Sequence, residues 1–262
     1  MRLPENPHFA ITGASSGLGA ALAELIATHR YPLTLVGRDA VRLESIGLRC
    51  KALGSPVECV QCDVTNAVEL GSALVAADAK LPVDVVIANA GLGGSAVMAP
   101  DSGETLSLAK DVLEVNAMGV INTVMALQPR FIARKSGRFV LVSSLAGCEG
   151  LAEAPTYAGS KAFVRVYGHG LRRHLSQHGI GVNVIVPGFV ATPMSNSLNF
   201  QPPFLWDAQR AARVILAGIN ANKPEIRFPW QLSLGARLSA FLPISMVDWI
   251  LSRERLHRRS KS

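Results

Sequence analysis

Tyr157 and Lys161 stand four residues apart, and Ser144 lies thirteen residues before the tyrosine. On a helix, that four-residue spacing sends both side chains from one face, with roughly 5–6 Å between their Cβ atoms. An ammonium there is expected to stabilise a phenolate and lower a phenol pKa from its ordinary value of about 10. A phenol tuned this way can exchange a proton with a carbonyl or hydroxyl oxygen. Many helices carry Tyr and Lys at this spacing with no such task. The pair gains meaning only from the elements that hold a reaction partner beside it.

Those elements read as short apolar or β-branched runs alternating with helical patterns. Strands are expected at 8–12, 33–37, 57–62, 83–88, 138–143, 181–186 and 225–228. Helices are expected at 17–30, 39–53, 66–79, 104–134, 156–178 and 207–221. This alternation predicts an α/β fold, a Rossmann-like doubly wound parallel sheet of about seven strands with helices on both faces. The 262 residues, 49% of them hydrophobic, suffice for one full core. No internal repeat interrupts the chain. Residues 1–228 are expected to form one catalytic domain, with 229–262 as an apolar extension and basic tail. Within the domain, 189–205 breaks the alternation with Thr-Pro and Pro-Pro steps and reads as a substrate loop.

The first βα turn is Phe9-Ala-Ile-Thr-Gly-Ala-Ser-Ser-Gly-Leu-Gly19. Glycines at 13, 17 and 19 let the backbone turn sharply and approach a pyrophosphate, which rests on the helix N-terminus. Leu18, Leu22, Leu25 and Ile26 give the following helix the apolar face this motif requires. Gly13, Ser15, Ser16, Gly17, Leu18 and Gly19 are therefore the expected dinucleotide cradle. The second strand ends at Gly37, followed by Arg38. An acid at that end would bind the 2′-hydroxyl of NAD and repel a 2′-phosphate, whereas a guanidinium holds a phosphate through two hydrogen bonds. NADP(H) is the expected cofactor. Asp39 speaks against it, although its position suits a helix N-cap.

With its motifs in order, the chain resembles the short-chain dehydrogenase/reductase family, in the shorter, single-domain branch, over about residues 8–228. Those motifs are Thr12-Gly13-x3-Gly17-x-Gly19, Asp63-Val64, Asn89-Ala90-Gly91, Asn116, Ser144, Tyr157-x3-Lys161 and Pro187-Gly188-x3-Thr192. The resemblance implies that Tyr157 is the general acid in reduction and the base in oxidation. Lys161 would lower its pKa, and Tyr157 and Lys161 would both also bind the cofactor, the lysine through the nicotinamide ribose. Ser144 would hold the substrate oxygen, with Ser143 as the competing residue, and Asn116 would bind a water linking Lys161 to solvent. Asp63 would accept from the adenine amino group and Val64 pack on the ring, while Asn89 supports the sheet and Ala90 and Gly91 pass close to the cofactor. Pro187 and Gly188 would turn the chain over the nicotinamide, with Val190 following and Thr192 donating to the carboxamide. Family members commonly form homodimers or homotetramers through the helices at 104–134 and 156–178.

Segments 92–100, 145–151 and 189–205 should surround the reacting carbon. Leu92, Val97, Leu145, Met194, Leu198 and Phe200 are among their apolar residues, and no basic side chain lies there to clamp an anion. An apolar ketone, aldehyde or secondary alcohol is the expected substrate, with reduction the favoured direction. A silent dinucleotide sensor and a membrane-surface reductase of lipid-like substrates are the alternatives. The apolar stretch 228–251 carries Trp230 and Trp249 and runs into Arg253, Arg255, Arg258, Arg259 and Lys261. It suits an interfacial helix on an anionic membrane, a cover for the pocket, or a subunit contact.

Other functions are disfavoured. No apolar run reaches the roughly 18 residues of a membrane span. Met1-Arg2-Leu3-Pro4-Glu5 lacks a signal-peptide core, so a cytoplasmic location is expected, with peripheral contact at the inner membrane surface as its variant. Cys59 and Cys62 would point to opposite faces of a strand, and no second Cys/His pair has zinc spacing. No metal is expected. The net charge of +7 is concentrated in the tail, without interleaved aromatics, so no nucleic-acid partner is expected.

Overall fold

Strands with apolar residues at every position need cover on both faces, and this chain provides it. In the computed structural model, which describes residues 3–93, 98–99, 103–197, 201–239 and 241–249, the order begins with β1 (Phe9–Thr12), α1 (Gly17–Ala27), β2 (Leu33–Gly37), α2 (Ala40–Ala52), β3 (Val57–Gln61), α3 (Ala67–Lys80) and β4 (Val85–Ala88). A two-stranded antiparallel pair follows, β5 (Met98–Ala99) and β6 (Gly103–Glu104). Then come α4 (Leu106–Leu113), a π-helical turn (Glu114–Met118), α5 (Gly119–Arg134), β7 (Arg138–Val142), α6 (Pro155–Ser176), β8 (Gly181–Pro187), α7 (Ala208–Asn220), β9 (Glu225–Phe228) and α8 (Trp230–Ser239).

The seven longer strands form one parallel sheet in the order β3-β2-β1-β4-β7-β8-β9. Alternate residues feed the two layers. Phe9 and Ile11, Leu33 and Leu35, Val85 and Ile87 pack toward α1, α2 and α7. Ala10, Val36, Val86, Phe139 and Leu141 pack toward α3, α5 and α6. Cys59 joins the first layer and Cys62 the second, as opposite faces require. The strand order reverses direction between β1 and β4, where doubly wound sheets open a crevice at their carboxyl ends.

Helix starts follow local chemistry. Asp39, Asn66, Thr105 and Asp207 each accept a hydrogen bond from the backbone three residues on, capping α2, α3, α4 and α7. The single helix expected over 104–134 is instead interrupted. Gly119 N donates to Glu114 O, an i→i+5 bond, within the π-helical turn between α4 and α5. Insertions of this kind concentrate at functional positions. The β5–β6 pair also departs from expectation; two residues per strand leave no periodicity to read. No helix among the described residues is long and apolar enough to cross a membrane.

Candidate active site

The carboxyl ends of the parallel strands bring the candidate residues together. In the β1–α1 turn, Gly13 has φ +66°, and a Cβ on it would stand 2.7 Å from Ala90 Cα. A Cβ on Gly19 would fall 2.3 Å from Gly13 O. No side chain fits either position. Ser16, the N-cap of α1, makes no side-chain capping bond, so the first amides of α1 keep their positive end for an anion. Asn89 Nδ2 donates to Thr12 O (3.0 Å) and Gly13 O (3.1 Å), and Thr12 Oγ1 accepts from the amides of Asn89 (3.1 Å) and Ala90 (3.2 Å). These bonds tie β1 to β4 beneath the turn. The loop after β8 closes over it, with Thr192 Cγ2 3.2 Å from where a Gly17 Cβ would stand. Val190 is buried and bridges to Trp206, and Gly188 N donates to Phe228 O (2.7 Å) beyond Pro187. Backbone and small residues thus form a cradle that fits a dinucleotide.

Arg38 leaves the end of β2 exposed, with Nη1 3.4 Å from Asp63 Oδ2. Asp39 is already committed, since Oδ1 accepts from Arg42 N (2.9 Å) and Oδ2 pairs with Arg42 Nε (2.7 Å). The Arg42 amide and charge hold its carboxyl below the usual range. Asp63 is pushed up by partial burial, but bonds from Thr65 and the charge of Arg38 outweigh that and leave its pKa lowered. The Val64 side chain is buried against Gly119, and its carbonyl accepts from Asn122 Nδ2 (2.9 Å).

Tyr157 and Lys161 lie one turn apart on α6. Ser144 accepts from Ala146 N (3.1 Å) at the start of the short 3-10 turn Leu145–Gly147, and its hydroxyl lies close enough to the Tyr157 phenol to draw the phenol pKa down. Ser143 points the other way, donating to Lys161 O (2.6 Å) in the core. Of the two serines, Ser144 therefore faces the phenol. Lys161 Nζ donates to Val142 O (2.9 Å) and sits 5.8 Å from the Tyr157 ring centroid. Burial pushes the Tyr157 phenol up, only partly offset by Ser144, and pushes Lys161 down to about 8. The phenol is thus raised, contrary to the sequence-based expectation. The ammonium points at a backbone carbonyl, and desolvation sets the direction of both shifts.

Asn116 lies in the π-helical turn and is fully buried. Its Oδ1 accepts from Leu92 N (2.7 Å), and Nδ2 donates to Leu92 O (3.1 Å) and Ser160 Oγ (3.1 Å). Ser160 in turn donates to Tyr157 O (2.7 Å). Both amide donors are engaged, so the side chain clamps the 91–93 loop to α6. A Cβ on Gly91 would stand 3.2 Å from Asn116 Oδ1 and 3.4 Å from Lys161 Nζ, which places that backbone against the lysine.

Glu104, at the end of β6, was not legible as a site residue. Its carboxylate accepts from Thr156 N (3.0 and 3.1 Å) and from the Thr156 hydroxyl, immediately before Tyr157. The available signal was a weakness: α6 begins at Ala154-Pro155, and alanine has no side-chain acceptor for a cap. The cleft wall also gains Leu232 of α8. Leu232 Cδ1 and Leu145 Cδ1 stand 3.1 and 3.3 Å from where a Gly188 Cβ would be, and Met194 covers Gly93. Val97, Leu198 and Phe200 lie outside the described residues.

Three comparisons bear on this arrangement. A family model described as short chain dehydrogenase matches residues 7–202. An uncharacterized oxidoreductase of Myxococcus xanthus is 36% identical over 239 residues, covering 91% of this chain and 93% of that one. The structure of a short-chain dehydrogenase from Sphingobium yanoikuyae in complex with NADPH superposes with a TM-score of 0.78 at 27% identity, over 90% of this chain and 96% of that one. A 3-oxoacyl-[acyl-carrier protein] reductase from Brucella melitensis with bound NAD gives 0.74 at 25% identity, over 86% and 90%.

Proposed function

This chain belongs to the short-chain dehydrogenase/reductase family, an oxidoreductase by that membership, and we propose that it reduces an apolar ketone or aldehyde to the alcohol with NADPH. The observation that carries the proposal is the grouping of the Ser144 hydroxyl beside the Tyr157 phenol with Lys161 Nζ 5.8 Å from the same ring, one turn away. When bound, the nicotinamide supplies a hydride to the carbonyl carbon. Ser144 would hold and polarise the carbonyl oxygen. Tyr157, kept protonated by burial, would give its proton to that oxygen as negative charge develops there. Lys161 is mostly charged at pH 7, and it would stabilise the phenolate left behind until solvent reprotonates it.

For NADP(H), the supports are Arg38 at the end of β2 and the engagement of Asp39 by Arg42, which leaves no unengaged acid at that strand end. Leu92, Leu145, Met194 and Leu232 support an apolar substrate. Exposed Met125, Phe163 and Val166 on α5 and α6 offer a face for a homodimer or homotetramer. Tyr157→Phe should lower kcat by roughly 10²–10⁴-fold on a panel of apolar ketones and aldehydes, with NADPH binding retained by fluorescence titration. Parental turnover in that variant would overturn the assignment.

A further inference from the structure

Helix α8 faces two ways. α8 turns Ser233 into the protein and Leu232 toward Leu145 and Gly188. Its other side shows Trp230, Leu234 and Leu238, at i, i+4 and i+8, which are 68%, 49% and 57% exposed. The chain beyond continues the same character, with Phe241 86%, Ile244 71% and Trp249 56% exposed, while Val247 is buried and anchors the helical turn at 244–249. Exposed large apolar residues gathered in one stretch of chain in this way point to an interaction site.

We propose that this face docks on an anionic membrane surface. Tryptophans near both ends of an apolar strip suit the level of lipid headgroups, where an amphipathic ring has one dry and one wet side. The charges complement such a surface. Arg237 lies in the last turn of α8, and the sequence from 250 to 262 carries Arg253, Arg255, Arg258, Arg259 and Lys261 against Glu254, with Asp248 the acid on the preceding turn. Arg253 comes four positions after Trp249, so even a fully extended chain keeps its Cα within about 14 Å of the tryptophan Cα. A second copy of the chain is the weaker occupant. A two-fold pairing presents the same patch from both subunits and would bring two basic tails together.

Docking has a consequence for the cleft, because the helix that lies on the lipid also lends Leu232 to the cleft wall. The proposal does not depend on the reductase reading, since binding is measured without cofactor or substrate. The full chain should sediment with phosphatidylcholine vesicles containing phosphatidylserine and stay in the supernatant with phosphatidylcholine alone. Replacing Arg253, Arg255, Arg258 and Arg259 with Ser should weaken binding about fivefold per charge, more than a hundredfold in all. Trp230→Ser with Phe241→Ser and Trp249→Ser should abolish it while the thermal melt and circular dichroism stay parental. Equal recovery in the supernatant with both vesicle types overturns the proposal, as does binding that neither variant changes. Concentration-dependent self-association that the tryptophan variant removes, without sedimentation, assigns the face to a second copy instead.

Discussion

Lys161 is a cation in a place that disfavours cations, and its cost can be measured. Burial holds its pKa at about 8 against 10.5 for an ordinary lysine. Below pH 8 folded and unfolded chains both carry the proton, and the folded one carries it at a cost. Between 8 and 10.5 the folded chain sheds its proton first, so this penalty fades as pH rises. Lys161→Met removes the penalty and loses the bond to Val142. The variant should therefore be inactive yet more stable near pH 7, by on the order of 2 kcal/mol. The gain should shrink toward pH 10.5, which denaturant melts across that range would follow. A variant less stable than the parent at pH 7 would refute a charge penalty at this site. Arg38 carries a separate prediction. Exchange for Asp removes the guanidinium and adds a like charge where a 2′-phosphate would lie. Arg38→Asp should weaken NADPH by at least roughly tenfold, the worth of one charge-assisted hydrogen bond, and leave NADH near parental affinity. Equal losses for both cofactors in paired titrations would sink the NADP assignment.

At the scale of elements, the start of α6 fixes where the phenol sits. Ala154 cannot cap the helix, and Glu104 does so from another element. Glu104→Ala should cost about 1 kcal/mol of stability and lower kcat more than it raises KM, because Tyr157 is the third residue of the helix. Glu104→Gln keeps an acceptor and should restore both. Identical losses in Ala and Gln variants would show that the carboxylate acts otherwise than as a cap. This contact also marks how far the sequence can be read. Every strand of the main sheet lies within two residues of its expected bounds, because a buried parallel strand is an apolar run that ends where the glycines and polar motifs begin. Ser144, Tyr157 and Lys161 follow, since strand ends and one helical turn place them. Contacts between elements distant in sequence leave no such trace. Glu104 on Thr156, the π-helical insertion that aims Asn116 at Leu92, and Leu232 in the cleft wall are tertiary facts. The raised Tyr157 pKa is another, since spacing reports the nearby charge but not the burial that outweighs it.

At the scale of the whole molecule, the crevice draws on elements far apart in the chain. The glycine turn follows β1, Arg38 follows β2, Asp63 follows β3, Asn89 follows β4 and Thr192 follows β8, so strand order alone decides that they meet. A ligand held by all of them binds the folded chain and finds no such site in the unfolded one. NADPH at a hundredfold excess over its Kd should then stabilise the fold by about 2.7 kcal/mol. For a domain of this size that corresponds to a rise of roughly 5–10 °C in Tm. NADH at the same concentration should give a smaller rise, and Arg38→Asp should remove the difference between them. The Tyr157→Phe chain should keep most of the NADPH shift, because the glycine turn, Arg38 and Lys161 remain to hold the cofactor. Differential scanning fluorimetry of the three chains with both cofactors reads all of this. A melt that neither dinucleotide moves would contradict the cradle itself. A shift that Tyr157→Phe abolishes would make the phenol the main support of the cofactor and refute the glycine turn and Arg38 as its principal hold.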